Sequence, residues 1–466
     1  MSSAPKPYFE QPGFDSTAPR LLIISAAFPP SAGAGAVRLE RLAERAWARG
    51  WQVDAIASAI VPHERHDDSR LGELPPGTRV WTVARRTGGV VDLPLNAVRV
   101  VKRLATRAAT NIDNGGDRSR AGEAPPPGSA DSFVERVRRY RDFRQWLRWA
   151  IDASELGHLI AGKSPPIAVI SSGPPHIAHE AARRAARDLA SPLALDFRDP
   201  WVNNDADQTP HSSAVEYEDR VCRAADLIIL NTFATLDTFA GRYPTLRTKM
   251  MTVMNGADPE VKAFASPTYT EFLVVHAGEL YGGRDPRLFF RGVRRFVESM
   301  TTIPHDVRVV FVGADTYEGI PLASIAEGEG IGAVFHASGP VSRREALVLS
   351  GRAAVNVVLQ QNAKGSIPSK VYDYVQFPCN ILALGHPQDA IGRLLEGTDA
   401  FVIDPAKPAD IARALERSYA RWKAGERPEP LNEDGRFDRS RQMEKMLDEI
   451  QRVAEATASA SRGAPR

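Results

Sequence analysis

Short apolar runs of strand length alternate with helix-length amphipathic stretches along most of this chain. Runs at Arg20–Ala26, Gln52–Ser58, Ile167–Ser171, Leu193–Phe197, Asp226–Leu230 and Met250–Met254 are separated by helical patterns. Those patterns lie at Val37–Arg49, His176–Leu189, Glu216–Ala225 and Leu236–Arg242. Strands without a polar face need cover on both sides, which helices flanking a parallel sheet supply. The pattern restarts after a Pro-containing linker at Ala263–Pro267, with strands expected at Phe272–Ala277, Val307–Val312, Ala354–Leu359, Asn380–Leu384 and Phe401–Ile403. The spacing therefore predicts an α/β protein of two doubly wound parallel sheets in tandem.

The rhythm breaks between 61 and 132, where NIDNGGDRSR and EAPPPGS read as a loop-rich insertion. Phe133–Ile151 follows, with Phe133, Val137, Tyr140, Trp146, Leu147, Ala150 and Ile151 at helical spacing. Arg136, Arg139, Arg141, Arg144 and Arg148 occupy much of its remaining surface. The expected organisation is a disordered tail (1–19), a first domain (20–258), a second domain (259–425), a charged helical segment (426–456) packing back on the first domain, and a tail (457–466).

Composition narrows the class. In 466 residues, 43% hydrophobic and 25% charged content is ample for large cores. Lys and Arg total 59 against 57 Asp and Glu, so no global field favours nucleic acid. Cys222 and Cys379 alone make neither a disulfide framework nor a thiolate metal site, which suits a reducing cytoplasm. No apolar run reaches the ~20 residues of a membrane span, and the first residues lack the pattern of a secretory signal. A cytoplasmic protein is expected, with a peripheral place on the inner membrane face left open.

Candidate chemistry clusters where strands end. LLIISAAFPPSAGAGAVR (21–38) places Gly33 and Gly35 before a helix start, where main-chain N–H groups and the helix dipole favour an anion. The same glycines could simply close a turn. Asp54 lies inside the second strand rather than at its end, which argues against a dinucleotide fingerprint. SSGPPHIAH (171–179) sets His176 at a helix start on the sheet edge, able to donate to a sugar or phosphate, or to bond only to backbone; His179 is expected on the helix surface. DFRDPW (196–201) sends Arg198 and Asp199 past a strand end, either as an anion fork with an acceptor-binding carboxylate or as an internal pair. NNDAD (203–207) reads as a solvated loop. In the second half, HAGELYGGRDPR (276–287) brings Arg284 to a helix start. IPSKVYDY (367–374) opens another, with Ser366 as the expected cap and Lys370 and Asp373 on one face, as ligand groups or as a surface ion pair.

Together these segments, with VMNGAD (253–258) and IPSKVYDYVQFPCNILALG (367–385), resemble the family 4 glycosyltransferases from Arg20 to about Trp422. SGPPH with FRDPW is similar to a branch associated with surface-polysaccharide assembly. The resemblance implies the GT-B fold: two facing Rossmann-like doubly wound sheets with the active site in the cleft between them. It implies retaining transfer from a nucleotide-diphosphate sugar to a glycan or lipid-linked acceptor, without metal or other cofactor. It places Gly33 and Gly35 against the donor phosphates and His176 against the transferred sugar; with Arg198 and Asp199, read from their own segment, His176 makes up the expected catalytic set. Gly278, Arg284, Ser366 and Lys370 would hold the donor, and Asp373 the ribose. Three positions depart from the family pattern: Asp373 stands where the second Glu of a pair is usual, Gly365 where the first is usual, and Glu279 where an Arg is usual. A nucleotide-sugar 2-epimerase of the same fold and a non-catalytic nucleotide-sugar-binding scaffold are the rivals. Lipid-linked acceptors make the Phe133–Ile151 helix a candidate contact with an anionic membrane surface; the alternative is that its stripe packs on the core.

Overall fold

The apolar runs form two parallel sheets. In the first, β1 (Phe9–Glu10), β2 (Arg20–Ile24), β3 (Gln52–Ser58), β4 (Arg79–Val83), β5 (Ala168–Gly173), β6 (Leu193–Phe197), β7 (Leu227–Leu230) and β8 (Met250–Thr252) take the order β1-β4-β3-β2-β5-β6-β7-β8. Strands β2 to β6 run parallel, with Leu21 opposite both Val53 and Ala168, and β1 is antiparallel on β4. The second sheet holds β9 (Phe272–Ala277), β10 (Val307–Val312), β13 (Phe335–Ala337), β14 (Val355–Leu359), β15 (Asn380–Leu384) and β16 (Phe401–Ile403), all parallel, in the order β13-β10-β9-β14-β15-β16. A ribbon of β11 (Thr316–Tyr317) and β12 (Ile320–Pro321) stands apart. The α/β fold of two doubly wound sheets is as the sequence predicts.

The helices are α1 (Ala34–Ala48), α2 (Ser69–Gly72), α3 (Ser129–Ala161), α4 (Ala178–Leu189), α5 (His211–Ala224), α6 (Phe233–Arg242), α7 (Arg287–Glu298), α8 (Leu322–Gly328), α9 (Arg343–Gly351), α10 (Lys370–Tyr374), α11 (Ala390–Leu395), α12 (Pro408–Lys423) and α13 (Arg439–Gly463). This computed structural model describes residues 5–60, 66–85, 129–162, 164–202, 211–266, 268, 270–280, 284–300, 306–361 and 364–463, without the side chains of 34, 129–138, 211 and 461–463. The chain divides into two compact units, residues 1–228 with 451–466 and residues 229–450. Around the second sheet, Phe272, Phe289, Phe296 and Phe311 fill one layer, while Tyr372, Tyr374 and Phe377 fill another. Burying each such ring stabilises by roughly 1.5–3 kcal/mol.

Several expectations change. Residues 5–19 are not a loose tail: β1 pairs with β4, and the Arg79 guanidinium lies 3.6 Å over the Phe14 ring. Within the expected insertion, 66–85 holds α2 and the parallel strand β4, while 61–65 and 86–128 lie outside the described residues. At the expected linker, a 3₁₀ turn runs over Pro259–Phe264 and the Ser266 amide donates to Gly351 O at 2.9 Å, while 267 lies outside the described residues. Helix α13 continues to Gly463 and buries Met443, Met446, Leu447 and Ile450. Cys222 and Cys379 are both buried, and neither is in a disulfide. Among the described residues, no helix is long and apolar enough to cross a membrane.

Candidate functional site

Open α/β sheets bind ligands beyond the carboxyl ends of strands, where the strand order reverses. In the first sheet that switch lies between β2 and β5. Ser25 follows β2, and its hydroxyl donates to Ser172 O at 2.9 Å. The loops beyond carry cis peptides at Pro29–Pro30, Gly173–Pro174 and Pro174–Pro175. The sequence motifs FPP and SGPPH thus meet at one sheet edge.

His176 sits there with its ring fully buried, stacked 5.6 Å from the rings of both Phe197 and Trp201. Its Nδ1 lies 3.3 Å from His179 Nε2, and His179 Nδ1 lies 2.8 Å from Ser171 Oγ. His179 is therefore not on the helix surface. One turn after His176, it points the same way and is fully buried against Phe197, ring centroids 4.2 Å apart. Burial and, next, the Arg198 charge push the His176 pKa down to about 3. Burial and the neighbouring His176 hold His179 well below the usual imidazole range. Both rings are neutral near pH 7, so neither carries the positive charge that would attract a phosphate.

Arg198 turns its fork onto the backbone: Nε donates to Gly173 O at 3.1 Å and Nη2 to Pro174 O at 2.5 Å. Its guanidinium fills the space beside Gly35, where a Cβ would come within 1.7 Å of Nη1. Gly35 is thus needed for Arg198, whereas the sequence placed it against a ligand. Gly33 caps α1 without a side-chain bond and is exposed, with only Ser31 Oγ near an added Cβ, at 3.7 Å. Burial pushes the Asp199 carboxyl up, opposed by the Arg198 charge. The buried ion pair of this edge is one the sequence did not single out. Arg38 Nε and Nη2 donate to Asp196 Oδ2 and Oδ1 at 3.0 and 2.8 Å, and Ser172 Oγ donates to Oδ2 at 2.8 Å. NNDAD lies outside the described residues.

The second sheet reverses its order between β9 and β14. Gly278, directly after β9, takes a φ of +112° and donates its amide to Val312 O at 2.7 Å. Lys370, first residue of α10, brings Nζ to 3.2 Å from His276 Nε2. A Cβ on Gly278 would lie 2.9 Å from that Nζ. Arg284 is 8% exposed and close enough to act on both Lys370 and His276 by charge. Burial first, and Arg284 second, push the Lys370 pKa down to about 7. The structure therefore brings Gly278, Lys370 and His276 together at the end of β9, with the charge of Arg284 acting on the last two. Four residues past Lys370, the Tyr374 hydroxyl accepts the Ala277 amide at 3.0 Å. One short helix thus grips the end of β9 twice.

Ser366 does not cap this helix. Its hydroxyl and carbonyl accept from Gln360 Nε2 at 3.1 and 3.0 Å, and Ser369 stands at the cap position instead. Asp373 forms an ion pair with Arg343 Nη2 at 3.0 Å, and Lys370 turns instead to His276. Burial raises the Asp373 carboxyl pKa, against the Arg343 charge. Glu279 is exposed. Gly365 has open space where a side chain would be, and its carbonyl accepts from Thr232 Oγ1 at 2.8 Å. Gly282 and Gly283 lie outside the described residues.

Helix α3 buries a different stripe from the one expected. Phe143, Trp149, Ala150 and Ala153 are buried, whereas Tyr140 is 49% exposed and Trp146 and Leu147 are half-buried. Arg139, Arg144 and Arg148 are exposed and Arg141 reaches Asp142 at 3.5 Å; the side chains of Phe133, Arg136 and Val137 lie outside the description.

No protein-family model matches the chain, and no curated protein matches it in sequence. Solved structures do. A glycosyltransferase from Rickettsia africae ESF-5 superposes with a TM-score of 0.56 at 11% identity, covering 93% of this chain and 98% of its own. The Anabaena protein HepE in complex with UDP and glucose gives 0.53 at 13% identity, over 95% and 100%. The lipopolysaccharide outer core galactosyltransferase WaaB gives 0.56 at 12% identity, over 92% and 99%. Identities this low speak for the fold alone: these neighbours are glycosyltransferases of the GT-B type, and this chain has their architecture.

Proposed function

We propose that this protein is a retaining glycosyltransferase that moves a sugar from a nucleoside-diphosphate donor to a hydroxyl of a glycan or lipid-linked acceptor in surface-polysaccharide assembly. The observation that carries the reading is the cation pair at the second sheet's switch point. Lys370 Nζ stands beside Gly278 and His276 at the end of β9, where burial first and the charge of Arg284 second lower the lysine pKa to about 7. Cations gathered at one strand end favour a ligand of negative charge. A diphosphate beyond a strand end fits that need, and the Anabaena neighbour is bound to UDP and glucose. The WaaB neighbour, named for a lipopolysaccharide core, supports a surface glycan as the product.

In this reading Gly278 leaves room for the β-phosphate next to Lys370. Arg284 and Lys370 stabilise the negative charge that grows on the diphosphate as the sugar bond breaks. The leaving phosphate takes the proton of the incoming hydroxyl on the same face, so the protein supplies neither nucleophile nor metal. Asp373 meets the ribose. In the first unit, neutral His176 and the Arg198 fork hold the SGPP loop in shape for the sugar, and Asp199 orients the acceptor. The exposed Arg139, Arg144 and Arg148 of α3 suit a peripheral contact with anionic lipid, worth roughly 1 kcal/mol per charge near the surface.

The test is a thermal-shift screen of UDP-, GDP- and dTDP-sugars, since a ligand selective for the folded state raises its stability. Transfer assays with the best donor follow. Lys370→Ala and Arg284→Ala should each lower the rate by about 10²–10³ without unfolding the protein. More than half the activity in both variants would refute the donor site. Sedimentation with anionic liposomes at low and high salt tests the lipid contact; equal binding to neutral vesicles removes it.

A further inference from the structure

We infer that His276 is a positioning residue that holds the Lys370 ammonium ready for the donor diphosphate, through a ring tautomer fixed by the Val357 carbonyl. The inference rests on reading this edge as the donor-phosphate site. His276 Nδ1 lies 3.0 Å from Val357 O, and a carbonyl can only accept, so Nδ1 carries the proton. Nε2 is then an acceptor, and its neighbour at 3.2 Å is Lys370 Nζ, a group with three N–H donors and no lone pair to offer when charged. The ring itself is fully buried, with the Phe311 ring 4.9 Å away, so its plane is fixed by packing as well as by Val357.

The choice of a neutral imidazole has a chemical consequence. A lysine chain loses rotamer entropy on being fixed, and an acceptor in the unliganded protein fixes it beforehand. A carboxylate in that place would fix it too, but would neutralise the ammonium and compete with the phosphate. Histidine kept neutral by burial and by the Lys370 charge orients the cation and leaves its charge for the ligand. Tyr374, on the same turn of α10, ties the next residue of β9 by accepting the Ala277 amide. The strand end and the lysine are therefore registered to one another before the donor arrives.

Three substitutions separate the two hydrogen bonds. His276→Gln retains a neutral acceptor long enough to reach Nζ. His276→Asn keeps a donor for Val357 but falls short of Lys370. His276→Phe keeps the aromatic packing beside Phe311 and removes both bonds. The probes are UDP, GDP and dTDP with their nucleosides, measured by calorimetry on the full chain, using the diphosphate that binds the wild type best. His276→Asn and His276→Phe should weaken diphosphate binding roughly tenfold, the scale of one hydrogen bond to a charged group, with the nucleoside affinity little changed. His276→Gln should stay within about threefold of wild type. Folded His276→Phe that binds the diphosphate normally overturns the proposal, as does equal loss of diphosphate and nucleoside. Lys370→Met is the separate control. If it leaves diphosphate affinity unchanged, or no diphosphate binds the wild type, the donor-site reading falls. If it weakens binding while both His276→Asn and His276→Phe do not, only the positioning role of His276 is lost.

Discussion

Arg38 and Asp196, 158 residues apart in the chain, meet in a two-pronged ion pair that is 1% and 0% exposed. Arg38 lies three residues past Gly35 on α1, and the same carboxylate takes the Ser172 hydroxyl, so the glycine loop and the SGPP loop are fastened to one group of β6. Removing one partner strands the other charge in the core. Arg38→Met or Asp196→Asn should each cost about 3–5 kcal/mol of unfolding free energy, whereas replacing both with apolar residues should recover much of it. Urea unfolding of the three variants checks this. A single variant losing under 1 kcal/mol would mean that water reaches the pair.

The buried imidazoles set a second expectation, for acid stability. His176 and His179, and His276 in the other unit, are fully buried with pKa values pushed below the usual 6.5, His176 to about 3. Each folded-state pKa lies below the unfolded one, so between them the unfolded chain binds the extra proton, and stability falls as pH drops. For His176 the window runs from about 6.5 down to about 3, at roughly 1.4 kcal/mol per pH unit. Carboxylates titrate in the lower part of this range, so the comparison is between wild type and His176→Gln. The variant should show a shallower pH dependence by about one proton between pH 6 and 4.5. Identical slopes would show that His176 is protonated in the folded state.

How far these features could be read from sequence depends on how local they are. Strands Gln52–Ser58, Leu193–Phe197, Phe272–Ala277, Val307–Val312, Asn380–Leu384 and Phe401–Ile403 fall at the predicted limits, because apolar runs bounded by turn residues define a parallel strand by themselves. Strand β4 escaped notice because Arg79 and Thr82 are half-buried, giving it a partly polar face inside a polar region. Edge strand β13 has three residues, none fully buried. The site divides in the same way. Gly278, Arg284 and Lys370 lie on glycine- or proline-marked strand ends and helix starts, which are visible locally. His276 pairs with Lys370 across 94 residues, and Arg38 with Asp196 across 158, so only the folded sheet order brings them together. Arg198 and Asp199 suggested a pair by adjacency, but the partner of Arg38 is Asp196, inside the strand and facing α1. In α3, aromatic residues on several faces hid which side was core, and the buried set is Phe143, Trp149, Ala150 and Ala153.

Lys370 makes diphosphate binding pH-dependent. With its pKa near 7 in the unliganded protein, it is mostly neutral at pH 7.5 to 8, and an arriving diphosphate favours the charged form. Binding should therefore take up a fraction of a proton, and affinity should weaken as pH rises through this range, by up to about tenfold per pH unit. Of its neighbours, Arg284 adds positive charge that lowers the lysine pKa, and His276 is held neutral by burial and the Lys370 charge. The diphosphate ionises near pH 6 in its own right, so the comparison is with Lys370→Met. Calorimetry in buffers of different ionisation enthalpy should show proton uptake in the wild type that the variant lacks. Equal uptake in both would place the titrating group elsewhere.

Gly278→Ala tests whether the strand end and the lysine act together. At φ +112° an alanine is strained, and positions of this kind cost of order 1–3 kcal/mol. Its Cβ would also come within 2.9 Å of Lys370 Nζ, the flexible end of a long side chain, so the backbone can stay in place if the ammonium moves. Displacement breaks the contact with His276 Nε2 and takes the charge away from the Gly278 main chain. The variant should thus stay folded with a Tm lower by several degrees, and its diphosphate affinity should fall by more than its nucleoside affinity. In a Lys370→Met background the stability cost should remain, since it comes from φ, whereas most of the affinity cost should disappear, since the ammonium is already gone. Double-mutant analysis measures that coupling. Additive losses in affinity would show that Gly278 serves the turn alone and leaves the lysine undisturbed.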